Sequence, residues 1–159
     1  MRIGIDARLL SEPVTGIGRY TAELSRELVR LEGDFRFYTP KPPVVSGWEG
    51  PNSSLRSAHF PGRVGKMVWS QTLLPYWAAR DRVDLFWGPT HRLPRFLPAS
   101  IARVVTIHDL VWKHAAQTMR PMSRMLEQRL MPEAVRLADR VMTDSKSTAD
   151  ALEDAFPES

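Results

Sequence analysis

The chain has 159 residues, contains no cysteine and carries a formal net charge of +4. With 43% hydrophobic and 25% charged residues, its composition is that of one globular domain with a sizeable core. The absence of cysteine excludes disulfides, thiolate metal sites and cysteine nucleophiles. No apolar run reaches the roughly 18 residues of a membrane-spanning helix.

The first part of the sequence predicts a strand, a loop and an amphipathic helix. The strand covers Arg2 to Ala7, and the loop from Leu10 to Gly18 contains two glycines. The helix should end at Gly33-Asp34, before a second strand from Phe35 to Thr39. Its apolar face is predicted from residues at helical spacing, namely Ile17, Tyr20, Leu24, Leu28 and Leu31.

The middle of the chain is richer in turn-forming residues. Pro40 to Ser54 contains many Pro, Gly and Ser residues and is predicted to be a loop. A weak strand is expected near Leu55 to His59. Val64 to Ala79 then has the pattern of a helix, which Pro75 should kink or split.

The second half alternates strands with helices. Strands are predicted at Asp84 to Trp87, at Arg103 to Ile107 and at Arg140 to Thr143. Pro132 should bend the long helix between the last two, and Ser145 is suited to cap a final helix that runs to about Ala155. The long helix is indicated by apolar residues at helical spacing, namely Met122, Met125, Leu126, Leu130, Ala134 and Leu137.

This alternation predicts an α/β fold, a single Rossmann-like domain with an open, mostly parallel sheet flanked by helices. Ligands of such sheets bind at the carboxyl ends of the strands. The corresponding loops begin at Ala7, Gly88, His108 and Asp144.

A first candidate site is the segment Gly16-Ile17-Gly18. Glycines allow close approach of the backbone to a ligand, and the start of the following helix offers N–H groups and a positive dipole end. The segment is therefore suited to contact a phosphate, although a simple tight turn explains the two glycines as well. The dinucleotide fingerprint G-x-G-x-x-G is absent, because Thr21 stands where its third glycine would be.

A second candidate site is His108-Asp109, which follows a strand directly. A histidine there can bond a substrate hydroxyl, but the pair can equally be structural, with Asp109 capping the next turn. His91 lies on another carboxyl-end loop. Together with His108 and His114 it could resemble a set of metal ligands. Their spacing does not support a metal, and none is expected. Ser145 can contact a substrate or only cap its helix.

Five segments in order resemble the N-terminal domain of the GT-B glycosyltransferases of group 1, also called family 4. The resemblance covers essentially the whole chain, and its strength lies in the order and spacing of the segments. They are Gly4-Ile5-Asp6-Ala7-Arg8, Gly16 to Thr21, Leu73-Leu74-Pro75 with Val83 to Phe86, Val104 to Leu110, and Ala138 to Ser145.

The resemblance implies a retaining enzyme that moves a mannose-, rhamnose- or glucose-like hexose from a nucleotide diphosphate sugar to a glycan or lipid-linked acceptor. The setting would be bacterial surface polysaccharide synthesis. Residues 1–159 would be the N-terminal, acceptor-side Rossmann-like domain, with the C-terminal nucleotide-sugar domain absent, so that the chain alone would be inactive. The nucleotide sugar would be a co-substrate, with no cofactor and no metal.

The resemblance also assigns roles to residues. Gly16 and Gly18, with Ile17 between them, would approach the donor diphosphate, and His108 would lie against the transferred sugar and act in catalysis. The residues expected on the substrate or acceptor side are Asp109, His91, Arg92, Arg19 and Ser145.

Two other interpretations remain open at this stage. One is a non-catalytic module that binds a carbohydrate, an anionic lipid surface or a partner domain. The helix that carries Trp69, beside Arg63 and Lys66, could dock on an anionic membrane, which would place a cytoplasmic protein at the inner face of the membrane. The other, a dinucleotide-dependent oxidoreductase, is disfavoured by the missing fingerprint. Nucleic acid is not an expected partner, since no recognisable motif supports it.

Overall fold

The computed structural model describes residues 1–110 and 121–157, without the side chains of residues 121–123. Six strands form one sheet in the order β3-β2-β1-β4-β5-β6, and every neighbouring pair is parallel. The predicted α/β fold with an open parallel sheet is therefore confirmed. The strands are β1 (Arg2–Asp6), β2 (Asp34–Thr39), β3 (Ser53–Ser57), β4 (Leu85–Gly88), β5 (Ala102–Ile107) and β6 (Arg140–Thr143).

Helices connect β1 to β2, β3 to β4 and β5 to β6, whereas β2 and β3 and also β4 and β5 are joined by segments without a helix. A short 3₁₀ helix that was not predicted follows β1. The described helical elements are this 3₁₀ helix (Arg8–Ser11), α1 (Gly16–Leu28), α2 (Gly62–Gln71), α3 (Leu73–Arg80), α4 (Pro121–Leu137) and α5 (Lys146–Ala155). Within the described residues, none of the helices is both long and apolar enough to cross a bilayer.

The predicted bounds differ from the observed ones around α1 and β3. Gly16, Ile17 and Gly18 form the first turn of α1 and do not belong to the loop before it. The helix ends at Leu28, and Leu31 is exposed, because the apolar face is already complete at Leu28 and the chain turns toward β2. Strand β3 begins at Ser53, so the predicted loop ends earlier than expected.

Proline had different effects in two helices. The helix predicted from Val64 to Ala79 is divided at Thr72, and Pro75 lies in the first turn of α3, where a helix does not need the missing N–H. In contrast, α4 continues through Pro132. Met125, one of the apolar residues whose spacing indicated this helix, is exposed, whereas Met131 is fully buried. The side chain of Met122 lies outside the described residues.

The sheet separates two apolar clusters. One cluster lies between the sheet and helices α2 to α5, with Trp69, Phe86 and Ile107 at its centre. The other lies under α1 and the loop after β2, where Phe37 packs on Trp48 with ring centroids 5.0 Å apart. Both faces of the central strands are therefore covered. The polar residues at the ends of these strands are attached to a rigid layer.

Candidate functional site

Strands β1 and β4 lie side by side at the centre of the sheet. The first three strands extend the sheet to one side of this pair, and the last three extend it to the other side. Ligands of open α/β sheets bind at such a switch point, outside the carboxyl ends of the strands. A pocket of about 430 Å³ lies there. Its lining residues come from the loops after β1, β4 and β5 and from α1 and α4, and they are Arg8, Leu9, Ile17, Thr90, His91, Arg92, Asp109 and Glu127.

Helix α1 begins at the rim of this pocket, which Ile17 lines. The first intrahelical bond joins the Arg19 N–H to the Thr15 carbonyl at 2.7 Å, so the N–H groups of Gly16, Ile17 and Gly18 have no partner within the helix. The Thr15 side chain does not cap them. A Cβ at Gly16 would have no neighbour within 4 Å, so packing does not require glycine there.

His108 is fixed at the end of β5 by hydrogen bonds to its backbone. Its N–H donates to Nε2 of His91 at 3.0 Å, and its carbonyl accepts a bond of 2.9 Å from the Thr148 hydroxyl. The ring of Tyr20 meets the imidazole edge to face, with centroids 4.7 Å apart. His108 is thus held in one orientation by β4, α1 and α5 together.

Both ring nitrogens of His108 also face acceptors. Nδ1 lies 2.9 Å from Oδ2 of Asp144, and Nε2 lies 3.0 Å from the carbonyl oxygen of Pro89. A carbonyl oxygen can only accept a hydrogen bond, so Nε2 carries a hydrogen, and a ligand oxygen could accept it in place of the Pro89 carbonyl.

His91 is buried on the loop after β4 and has an uncommon backbone conformation. Its φ is +59°, in the left-handed region, where a residue with a Cβ costs roughly 1–2 kcal/mol. The loop is held there because the His91 N–H donates to the Thr106 carbonyl at 3.2 Å. Nδ1 of His91 lies 3.5 Å from Oε2 of Glu127, a contact too long and poorly aligned for a good hydrogen bond.

Glu127 is the residue through which α4 contributes to the site. Its other oxygen accepts a bond of 3.1 Å from Arg92, so one carboxylate joins two residues of the loop after β4. Burial alone would raise the pKa of Glu127, but the adjacent imidazole of His91 and the guanidinium of Arg92 lower it by more, and the net pKa lies below its usual value. Glu127 is therefore an anion at neutral pH.

Arg8 forms the opposite wall of the pocket. Its Nε lies 2.9 Å from each carboxylate oxygen of Asp6, which is fully buried, and its guanidinium lies 5.4 Å from the ring centre of Trp69. Carboxylate and aromatic ring together hold a planar cation whose charge is already balanced. Both arginines of the lining thus come with their own counter-ions.

The structure brings some of the predicted site residues together and leaves others outside the pocket. Ile17, His91, Arg92 and Asp109 line it. His108 lies behind His91, with its side chain only 7% exposed.

Four other predicted residues do not line the pocket, namely Gly16, Gly18, Arg19 and Ser145. Gly16 and Gly18 flank Ile17 in the first turn of α1. Arg19 is exposed on α1. Ser145 caps α5 by accepting the Thr148 N–H at 3.1 Å, as one of its two interpretations predicted. His114 and Trp112 lie outside the described residues.

Several site residues were not predicted, and the sequence pointed to some of them more clearly than to others. Asp144 directly follows β6, so the rule of carboxyl-end loops could have pointed to it. Glu127 had no such signal, because an acidic residue in an amphipathic helix is ordinarily solvated. Among the described side chains, no three of His, Asp or Glu are arranged so that they could share a metal ion.

A parallel sheet with a pocket at its switch point, lined mainly by polar and charged residues, defines a ligand-binding domain of the doubly wound α/β class. The model of glycosyltransferase family 4 matches residues 14–159, which is nearly the whole chain. The chain therefore belongs to glycosyltransferase family 4, and the resemblance found in its motifs is confirmed. A comparison with curated proteins found no match.

Proposed function

We propose that this chain is the N-terminal, acceptor-side domain of a retaining glycosyltransferase that moves a hexose from a nucleotide diphosphate sugar to a glycan or lipid-linked acceptor. The observation that carries the proposal is the pocket at the switch point, where α1 begins beside His91 and His108. A second domain that binds the nucleotide completes the site. Surface polysaccharide synthesis in a bacterium is the setting that the motifs favour.

The start of α1 is suited to the leaving diphosphate. Three N–H groups without helical partners and the positive end of the helix dipole meet at Gly16, where the space beside Cα is open. Preorganised donors of this kind stabilise charge that develops on a leaving group. In this proposal backbone amides and basic side chains neutralise the diphosphate, and no metal ion takes part.

The pocket itself is suited to a sugar. Its guanidinium groups are paired with Asp6 and Glu127, so it offers donors and acceptors side by side with little net charge. Hydroxyl groups both donate and accept, and such a lining matches a polyol. In the proposed reaction the buried His108 presents its Nε2 hydrogen to the transferred sugar, while Asp144 holds the ring.

The test is a transferase assay on the natural full-length protein with mannose-, rhamnose- and glucose-type nucleotide sugars and saccharide acceptors. We expect release of the nucleoside diphosphate and a product that keeps the anomeric configuration of the donor. His108→Ala should lower kcat/KM about 100-fold, the usual effect of losing one charge-stabilising donor. His59→Ala is the matched control, because His59 is exposed and does not line the pocket. Unchanged turnover in His108→Ala would remove this residue from the chemistry.

As the second part of the proposal, we infer a contact with an anionic membrane through a face of α2 other than the one that carries Trp69. Trp69 is fully buried against Arg8 and cannot reach a bilayer, and Lys66 is paired with Glu12. The outer face of α2 instead exposes Val64, Met67 and Val68, with exposed fractions of 71%, 52% and 44%. These residues at i, i+3 and i+4 form an apolar stripe, which we call the α2 stripe.

The charge around the α2 stripe supports an anionic bilayer as its partner. Arg63 is exposed at the start of α2, and the chain as a whole is basic. Trp69 on the opposite face of the same helix contacts Arg8 of the pocket, so a docked α2 would place the pocket next to the lipid surface. A lipid-linked acceptor would then enter directly from the bilayer.

We expect the double variant Val64→Asp/Met67→Asp to bind vesicles containing phosphatidylglycerol at least tenfold more weakly than the natural protein, because two charges would enter the apolar interface. Co-sedimentation measures the affinity. Val44→Asp is the control, since Val44 is 70% exposed on the loop after β2 and outside the α2 stripe. Equal binding of the two variants would contradict the contact.

A further inference from the structure

We infer that His91 is a positioning residue for His108, which it holds through Nε2 as a hydrogen-bond acceptor. This inference rests on the proposed function. It replaces the expectation that His91 contacts the acceptor through its ring, since both ring nitrogens are directed toward protein groups.

The tautomer of His91 follows from its partners. The backbone N–H of His108 can only donate, and it points at Nε2 of His91 from 3.0 Å. Nε2 therefore carries no hydrogen, and in the neutral ring the hydrogen is on Nδ1. Nδ1 is the nitrogen that faces Glu127, 3.5 Å away, so the carboxylate favours the same tautomer.

Protonation of His91 would break this arrangement. A second hydrogen on Nε2 would point at the N–H of His108, and a hydrogen bond of 3.0 Å would become a contact between two donors. The loop after β5 would have to move, and with it the ring of His108 and its bonds to Pro89 and Asp144. His91 thus controls the position of His108 without touching the reacting atoms.

Several charged or titratable groups surround His91. Arg92 contacts the same carboxylate, that of Glu127. The His108 ring lies 5.3 Å from the His91 ring. The titratable and charged groups that share this pocket or contact His91 are Glu127 from α4, Arg92 from its own loop, Arg8 from the 3₁₀ helix, and His108 and Asp109 from the loop after β5.

Two variants of the natural full-length protein separate positioning from simple support of the fold. His91→Gln keeps a side-chain acceptor, whereas His91→Leu removes the acceptor at similar side-chain size. We expect His91→Leu to lower kcat about tenfold with KM changed less than threefold, and His91→Gln to restore kcat to within about threefold.

Nuclear magnetic resonance tests the inference without reference to activity. We expect unprotonated Nε2 and protonated Nδ1 in His91 at pH 8, and a His108 amide proton whose chemical shift reports a hydrogen bond to Nε2. In His91→Leu the shift should move to that of an amide proton without this bond.

Two results would overturn the inference: a hydrogen on Nε2 of His91 at pH 8, or an unchanged His108 amide shift in His91→Leu. If the natural protein transfers no sugar at all, the proposed function fails, and the resonance data still decide the role of His91.

Discussion

Gly88→Ala should lower the free energy of unfolding by about 3 kcal/mol, the upper end of the usual cost of overpacking. Gly88 ends β4, and a Cβ there would lie 2.3 Å from the carbonyl oxygen of Arg92. Backbone cannot rotate away as a side chain can, so the loop from Pro89 to Arg92 would have to move. Denaturant titration followed by circular dichroism measures the loss.

The same substitution should also reduce activity, because this loop carries two of the contacts that hold His108. They are the Pro89 carbonyl at Nε2 and the His91 ring at the backbone N–H. Gly16→Ala is the matched control for stability, since its Cβ would meet nothing within 4 Å, and it should change the free energy of unfolding by less than about 0.5 kcal/mol. Equal stabilities of the two alanine variants would show that the loop after β4 is not packed as described.

Much of the fold could be predicted because strand and helix patterns are local. The strands at Arg2–Asp6 and Arg140–Thr143 were predicted to within a residue, and the division of the helix near Pro75 was expected. The 3₁₀ helix Arg8–Ser11 was missed, because four residues give no measurable periodicity. The end of α1 was misplaced because Leu31 fits the helical spacing but is exposed.

In the candidate site, the residues that could be predicted are those that closely follow a predicted strand. His108 and His91 were found because each follows a predicted strand, and the sheet order then brings their rings to 5.3 Å. The sequence does not show that their nitrogens already face protein groups. Glu127 lies 3.5 Å from Nδ1 of His91, and Asp144 lies 2.9 Å from Nδ1 of His108. Each acidic residue is 36 residues from its histidine and meets it only in the folded chain.

The proposed membrane contact also shows that the sequence does not indicate which side chains are exposed. Trp69 attracted attention as a large aromatic residue between basic ones, yet it is fully buried and Arg8 lies on its ring. Helical spacing places Trp69 and Val68 on adjacent positions, and only the packing of α2 shows which of them faces outward. The smaller residues of the α2 stripe carry the exposed apolar surface.

Arg8→Met should cost about 3 kcal/mol of folding free energy, since it leaves the carboxylate of Asp6 buried without its cation. Asp6 is fully buried, and the side-chain bonds that it accepts come from Arg8, at 2.5 to 2.9 Å. Methionine is similar in length but uncharged, so the loss reports on the ion pair with Asp6 and on the cation over the Trp69 ring. Arg19→Met, at an exposed position on α1, should change stability by less than about 0.5 kcal/mol.

A double-mutant cycle then separates the ion pair from the packing around it. Asp6→Asn/Arg8→Met removes both charges, and we expect it to be more stable than Arg8→Met alone, because an uncompensated buried charge costs more than a missing pair. If the double variant were the less stable one, the guanidinium would stabilise the fold chiefly through Trp69. The result bears on function as well, because Arg8 lines the pocket. An arginine neutralised by a buried aspartate offers its outer N–H groups to a hydroxyl without attracting a second anion.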